Sequence, residues 1–124
     1  MSSEDLHVAR ERLSDDARLM HYAITSLKEE LDAVDWYRQR ADDAEDAELR
    51  GVLLHNMREE MEHASMLIEW LRRRNADFAG HLKTYLFTDA PLLEVEHAAE
   101  NGGGNGAGPK SRGDGLTVGT LRQP

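Results

Sequence analysis

None of the 124 residues is a cysteine. That excludes a disulfide framework and a thiolate metal site, so any bound metal must be held by Glu, Asp, His or water, a donor set that selects harder ions. Long apolar runs are missing as well. None approaches the roughly 20 residues of a membrane span, and the opening MSSEDLHVAR has no signal-peptide core, so a soluble cytoplasmic protein without a membrane partner is expected. Basic charge is scarce: 15 Lys and Arg stand against 24 Asp and Glu, giving a net charge of −9. The imbalance lies in residues 1–97, which carry 22 acidic and 12 basic side chains. A field of that sign draws cations and repels nucleic acid. The length allows one domain, and a core this small favours oligomers.

What is present is a helical body followed by a glycine-rich end. Leu13, Ala17, Met20, Ile24, Leu27, Leu31 and Val34 recur at steps of four and three, the spacing of a coiled-coil seam, and predict a helix over about 14–42 that starts at Ser14. The acidic stretch Asp43-Ala-Glu-Asp46 supplies a short turn, with Asp46 as the N-cap of a second helix over about 47–74. That helix carries the seam Leu53, Met57, Glu60, Ala64, Leu67 and Leu71, and it ends on Arg72-Arg73-Arg74, well placed at a C-terminal dipole. A shorter third helix is expected over about 77–87, stopped before Pro91, with one further turn from Leu93 to Ala99. The fold class is therefore all-α: an antiparallel two-helix hairpin with a short C-terminal helix. Residues 1–99 form the helical domain and 100–115 a flexible glycine-rich linker. The run NGGGNGAGPKSRGDG lacks the apolar surface to order itself, and a flexible chain of about 15 residues spans roughly 20 Å. Apolar side chains return in Leu116-Thr-Val-Gly-Thr-Leu121, inside a separate end at 116–124.

Glu60 is the only charge in the second seam, and a buried carboxylate costs several kcal/mol unless it is paired or metal-bound. His63 follows one helical step later on the same side. The spacing Glu-x-x-His occurs three times, at Glu4 with His7, Glu60 with His63 and Glu94 with His97, but only the middle pair sits in a core seam. Glu30 and Glu60 each lie 15 residues from Glu45, so a chain that folds back there brings Glu30 opposite the Glu60/His63 pair. Glu30 flanks the first seam, beside Leu27 and Val34. A helical Glu facing a helical Glu-x-x-His is half of the set with which ferritin-like bundles hold two iron ions. Without a metal, the same residues read as specificity charges in a self-associating helical module.

Tyr37 lies seven residues after Glu30 on the same face, positioned either for core packing or for a hydrogen bond to the site. Glu29, Asp32 and Trp36 line a neighbouring face that fits an acidic approach path for a hydrated cation or a plain solvated surface. His55, Glu59 and Glu62 line up away from the seam and read as surface. No role follows from the sequence for His7, His21, His81 or His97.

The blocks Glu29-Glu-Leu-Asp-Ala-Val-Asp-Trp-Tyr37, His55-Asn-Met-Arg-Glu-Glu-Met-Glu-His-Ala64, Glu69-Trp-Leu-Arg-Arg73 and His81-Leu-Lys-Thr-Tyr-Leu-Phe-Thr88 resemble the encapsulated ferritins. The resemblance covers nearly the whole helical body. It implies a chain that dimerises into a ferritin-like four-helix bundle, binds two irons per dimer at a centre shared between subunits, and oxidises Fe(II) with dioxygen. It further implies a ring-shaped decamer held inside an encapsulin nanocompartment. Glu30, Glu60 and His63 correspond to the ferroxidase ligands and Tyr37 to the aromatic position beside them. Glu29, Asp32 and Trp36 match positions implicated in metal uptake, although the family more often has Glu where this chain has Asp32. Gly115-Leu-Thr-Val-Gly-Thr-Leu-Arg122 is similar to the family's encapsulin-docking peptide, which makes 116–124 the docking segment through Leu116 to Leu121. A different carboxylate-bridged di-metal enzyme or sensor would use the same ligands.

Overall fold

A computed structural model describes residues 6–102, so the glycine-rich stretch from 103 and the expected docking segment at 116–124 lie outside the described residues. After a 3₁₀ turn at Arg10–Arg12 come four helices: α1 (Asp15–Asp43), α2 (Ala47–Arg74), α3 (Ala76–Tyr85) and α4 (Leu92–Asn101). No strand occurs among the described residues. The expected all-α class holds, with one difference at the C-terminal side. The third helix stops at Tyr85, and the single turn expected after Pro91 is a ten-residue helix. Pro91 serves as its N-cap, since a ring-fixed backbone without an N–H is tolerated at a helix start.

Both long helices begin where a side chain satisfies an orphan amide. Ser14 accepts a hydrogen bond from the Ala17 N–H at 3.0 Å and Asp46 one from the Leu49 N–H at 2.8 Å. Each such cap is worth about 0.5–2 kcal/mol. Residues 44–46 turn the chain, and α1 and α2 pack antiparallel, as the pairing of Met20 with Asn75 near the open end requires. No described helix is long and apolar enough to cross a membrane.

The α2 seam runs as its spacing predicts, with Met57, Ala64 and Leu71 buried and Leu53, Glu60 and Leu67 half-buried. The α1 seam is shifted. Ala23 and Ala41 are buried while Leu31 is 51% exposed, so the line facing α2 is Met20, Ala23, Leu27, Glu30, Val34, Tyr37 and Ala41. This line also alternates steps of three and four, and it wins because alanine lets the two backbones approach closely. Glu30 therefore stands in the seam rather than beside it.

The hairpin is one compact unit ending at Ala76. Its core is thin: Leu71 is the only large side chain below 2% exposure among the described residues. Leu19, Tyr22, Leu31, Trp36, Met61 and Met66 all stay exposed on the same hairpin. The remaining residues form a second unit in which neither α3 nor α4 buries a side chain. Between those two helices Phe87 adopts a left-handed backbone (φ 63°) with its ring 97% exposed.

Candidate metal centre

Glu30 from the middle of α1 and Glu60 and His63 from the middle of α2 meet where the two seams cross level. One potential ligand atom from each lies within 4.8 Å of the others, and no second group of three His, Asp or Glu side chains comes together in this way among the described residues. His63 Nδ1 lies 3.0 Å from Glu60 Oε1, at hydrogen-bonding distance, and 3.5 Å from Glu30 Oε1. The Glu30 and Glu60 side chains are about three-quarters buried, at 27% and 24% exposure, and His63 is more open at 43%.

The charges are unbalanced. A hydrogen bond between the two carboxyl groups raises the pKa of Glu30 and lowers that of Glu60. Burial and the neighbouring Glu60 charge push Glu30 further in the same direction. His63 is raised, chiefly by its hydrogen bond to Glu60. Among the described residues, no Lys or Arg side chain forms an ion pair with either carboxylate. Two carboxylates and an imidazole held in reach of one another form a donor set for a hard divalent cation.

The other residues singled out in the sequence lie outside this group. Tyr37 is half-buried two turns beyond Glu30 in the same seam, with the Arg40 guanidinium 5.5 Å from its ring centre. Glu29, Asp32 and Trp36 are exposed on the outer side of α1, and His55, Glu59 and Glu62 are exposed on α2.

Sequence reading missed a feature one turn from the cluster. Ser26 is four residues before Glu30 and Leu67 four after His63, so both lie on the cluster's side of the hairpin. There a groove of about 400 Å³ is lined by Leu19, Tyr22, Ala23, Ser26, Met66, Leu67 and Trp70. It adjoins a second concavity of about 400 Å³ that shares Met66 and Trp70. The signal was available in the helical spacing of Leu19, Tyr22 and Ser26 against Met66 and Trp70.

Residues 5–89 match the EncFtn-like family. The encapsulated ferritin-like protein of Rhodospirillum rubrum is 47% identical over 126 aligned positions, covering 98% of this chain and 90% of that protein. A ferritin-like protein of Thermotoga maritima is 50% identical over 86 positions, covering 69% of this chain and 75% of the relative. Among solved structures, a protein from Nitrosomonas europaea superposes with a TM-score of 0.68 at 50% identity, covering 70% of this chain and 96% of the other.

Proposed function

This chain belongs to the EncFtn-like family, and from that premise we propose that it is a ferroxidase whose di-iron centre forms between two copies of the hairpin. The observation that carries the reading is the convergence of Glu30, Glu60 and His63 in an otherwise apolar seam where no Lys or Arg pairs with them among the described residues. One copy supplies half of a di-iron ligand set, and a second copy related by symmetry supplies the other half. Two hairpins packed in this way make a four-helix bundle, and the exposed apolar side chains of the lone hairpin find cover there.

In the dimer Glu30, Glu60 and His63 of both copies would hold two Fe(II) ions, with Glu60 as the shared carboxylate and Glu30 and His63 as the terminal ligands. A bound cation would supply the counter-charge that no Lys or Arg gives Glu30 and Glu60 among the described residues. The two Fe(II) would together pass two electrons to dioxygen, which takes up two protons as it is reduced to the level of hydrogen peroxide, and the carboxylates would stabilise the extra positive charge of the Fe(III) product. His63 Nδ1, the ring nitrogen that faces both carboxylates in the metal-free chain, would exchange its contact with Glu60 for the iron. Tyr37 closes the site from the next turns of α1. Glu29 and Asp32, the acidic members of the outer face of α1, form the path by which a hydrated cation approaches.

A hairpin of two long helices cannot enclose a mineral core, so the ferric product is stored elsewhere. The relative from Rhodospirillum rubrum is described as encapsulated, which supports an assembly of dimers, decameric by resemblance, carried inside an encapsulin shell through Leu116 to Leu121. Deleting residues 116–124 should leave oxidation intact and abolish shell loading in co-expression. Normal loading without them would refute the docking role. For the centre itself the test is dioxygen consumption on adding Fe(II) to the wild type and to His63→Ala. The variant should retain its helices and lose turnover, whereas unchanged turnover would remove the assignment.

A further inference from the structure

The dimer proposed above leaves open what fills the groove beside the cluster, and the spacing of residues along the two helices singles out one side chain. Leu19, Tyr22, Ser26, Glu29, Ala33 and Trp36 follow one another at steps of three and four, so they share one face of α1. The first three line the groove, and the last is a tryptophan left 51% exposed. Groove and tryptophan thus lie on the same face, on opposite sides of the metal-ligand level.

Their distances from that level match. Trp36 stands six residues past Glu30, about 9 Å along the axis at 1.5 Å per residue. Met66, in the groove wall, stands six residues past Glu60, also about 9 Å, but in the opposite direction because α2 runs antiparallel to α1. A two-fold axis through the cluster and perpendicular to the helices therefore brings each Trp36 level with the partner's Met66. Tyr22 and Ser26 bracket the same level on the partner's α1, at eight and four residues before Glu30. A symmetric dimer makes the contact twice, once on each side of the centre.

We propose that Trp36 is the anchor of the dimer, its indole seated in the groove that the partner's Tyr22, Ser26, Met66 and Leu67 form. The occupant of the groove is a second copy of this chain. The groove wall has two side chains of matching exposure, Tyr22 at 52% and Met66 at 58%, so both faces have apolar surface to remove from water. An aromatic ring buries roughly 150–250 Å² in such a seat, and a thioether at the ring edge adds a favourable contact. Central tryptophans of this kind carry a large share of interface affinity. The contact also ties assembly to chemistry, because the axis that seats Trp36 is the axis that brings the two ligand sets together.

The inference rests on the proposed dimer, so the test separates the two. The natural chain has no cysteine, which leaves a clean background for disulfide trapping. Single variants W36C and M66C are mixed, loaded anaerobically with Fe(II), checked by native mass spectrometry for a dimer with two irons, and then mildly oxidised. The expected product is a covalent dimer joining one W36C chain to one M66C chain, with neither variant alone crosslinking to itself. A dimer with two irons and no mixed disulfide would overturn the anchor while leaving the shared centre standing. Self-crosslinking of W36C would overturn it too, since that result needs a two-fold axis along the helices. Absence of any dimer would overturn both. As a second readout, W36A should weaken dimerisation by about 10- to 100-fold and W36F much less, while equal dimer dissociation constants for W36A and wild type would also refute the anchor.

Discussion

Two carboxylates on α2, Glu60 and Glu69, are nine residues apart and live in opposite electrostatic settings. Glu69 is gripped by Arg72, through two bonds of 2.7 Å, and by Arg73 through a third of 2.7 Å. Those hydrogen bonds, from Arg72 first and Arg73 second, drive its carboxyl down to about 2. Glu60 faces another carboxylate and an imidazole instead, and its hydrogen bond and charge hold the Glu30 carboxyl above its usual range. The first cluster sets two guanidinium groups against one carboxylate and so has nothing to offer a cation. The second is short of positive charge and becomes balanced only when a cation arrives. A carboxylate that is partly buried without a basic partner is thus a better pointer to a metal than a carboxylate in a dense ion-pair cluster.

The sharpest way to break this contrast is to truncate both residues in parallel. Glu60→Ala should lower Fe(II) affinity and oxidation by more than the roughly 10- to 100-fold typical of losing a group that merely supports a metal ligand. Glu69→Ala should leave oxidation unchanged. Equal effects in an oxygen-consumption assay would show that the two sites are not distinct in kind.

A smaller effect concerns the metal-free chain. Removing charge from the unbalanced site relieves repulsion, so Glu30→Gln should raise the melting temperature of the apo protein by roughly 2–5 °C while abolishing iron binding. A fall in melting temperature, measured by circular dichroism in chelator, would mean that the carboxylate pair already has a counter-charge.

The smallest effect belongs to the Glu69 cluster. Because the folded pKa of Glu69 is depressed from 4.5 to about 2, its contribution to stability is present above pH 4.5 and is lost as the pH falls toward 2. The group is 41% exposed, so the contribution stays within about 0.2–1 kcal/mol. The stability difference between wild type and Glu69→Gln should therefore shrink across that window. A difference that stays constant with pH would exclude the Arg72 and Arg73 pairing as its source.

The legible part of the fold was the part written in large apolar residues. Leu53, Met57, Leu67 and Leu71 marked the α2 seam and exposed Glu60 as the charge inside it, and Ser14 and Asp46 marked both helix starts. The α1 seam was harder to read because its buried positions include Ala23 and Ala41, which carry little hydrophobic signal, while Leu31 beside Glu30 carries much. Two interleaved lines satisfied the same spacing, and only packing against α2 selects between them. Leu31 points to a surface the lone hairpin does not cover. The 3₁₀ turn at Arg10–Arg12 was illegible for a different reason. It is held by reach from elsewhere, with Arg18 donating to the Arg10 and Leu13 carbonyls at 3.0 and 2.8 Å and Arg10 donating to the Tyr22 hydroxyl at 2.5 Å. The groove went unread because its lining comes from both helices and is apolar in one and mixed in the other.

The central claim is that a single chain holds half a centre and that iron completes it between two chains. Native mass spectrometry of the metal-free protein, repeated after anaerobic Fe(II) addition, tests this most directly. The account predicts two irons per pair of chains and a shift from monomer toward dimers or multiples of dimers, since a metal bound only across the interface stabilises the dimer by mass action. Oligomers that ignore Fe(II) and retain none would contradict it, and would leave Glu30 and Glu60 as specificity charges in a self-associating helical hairpin.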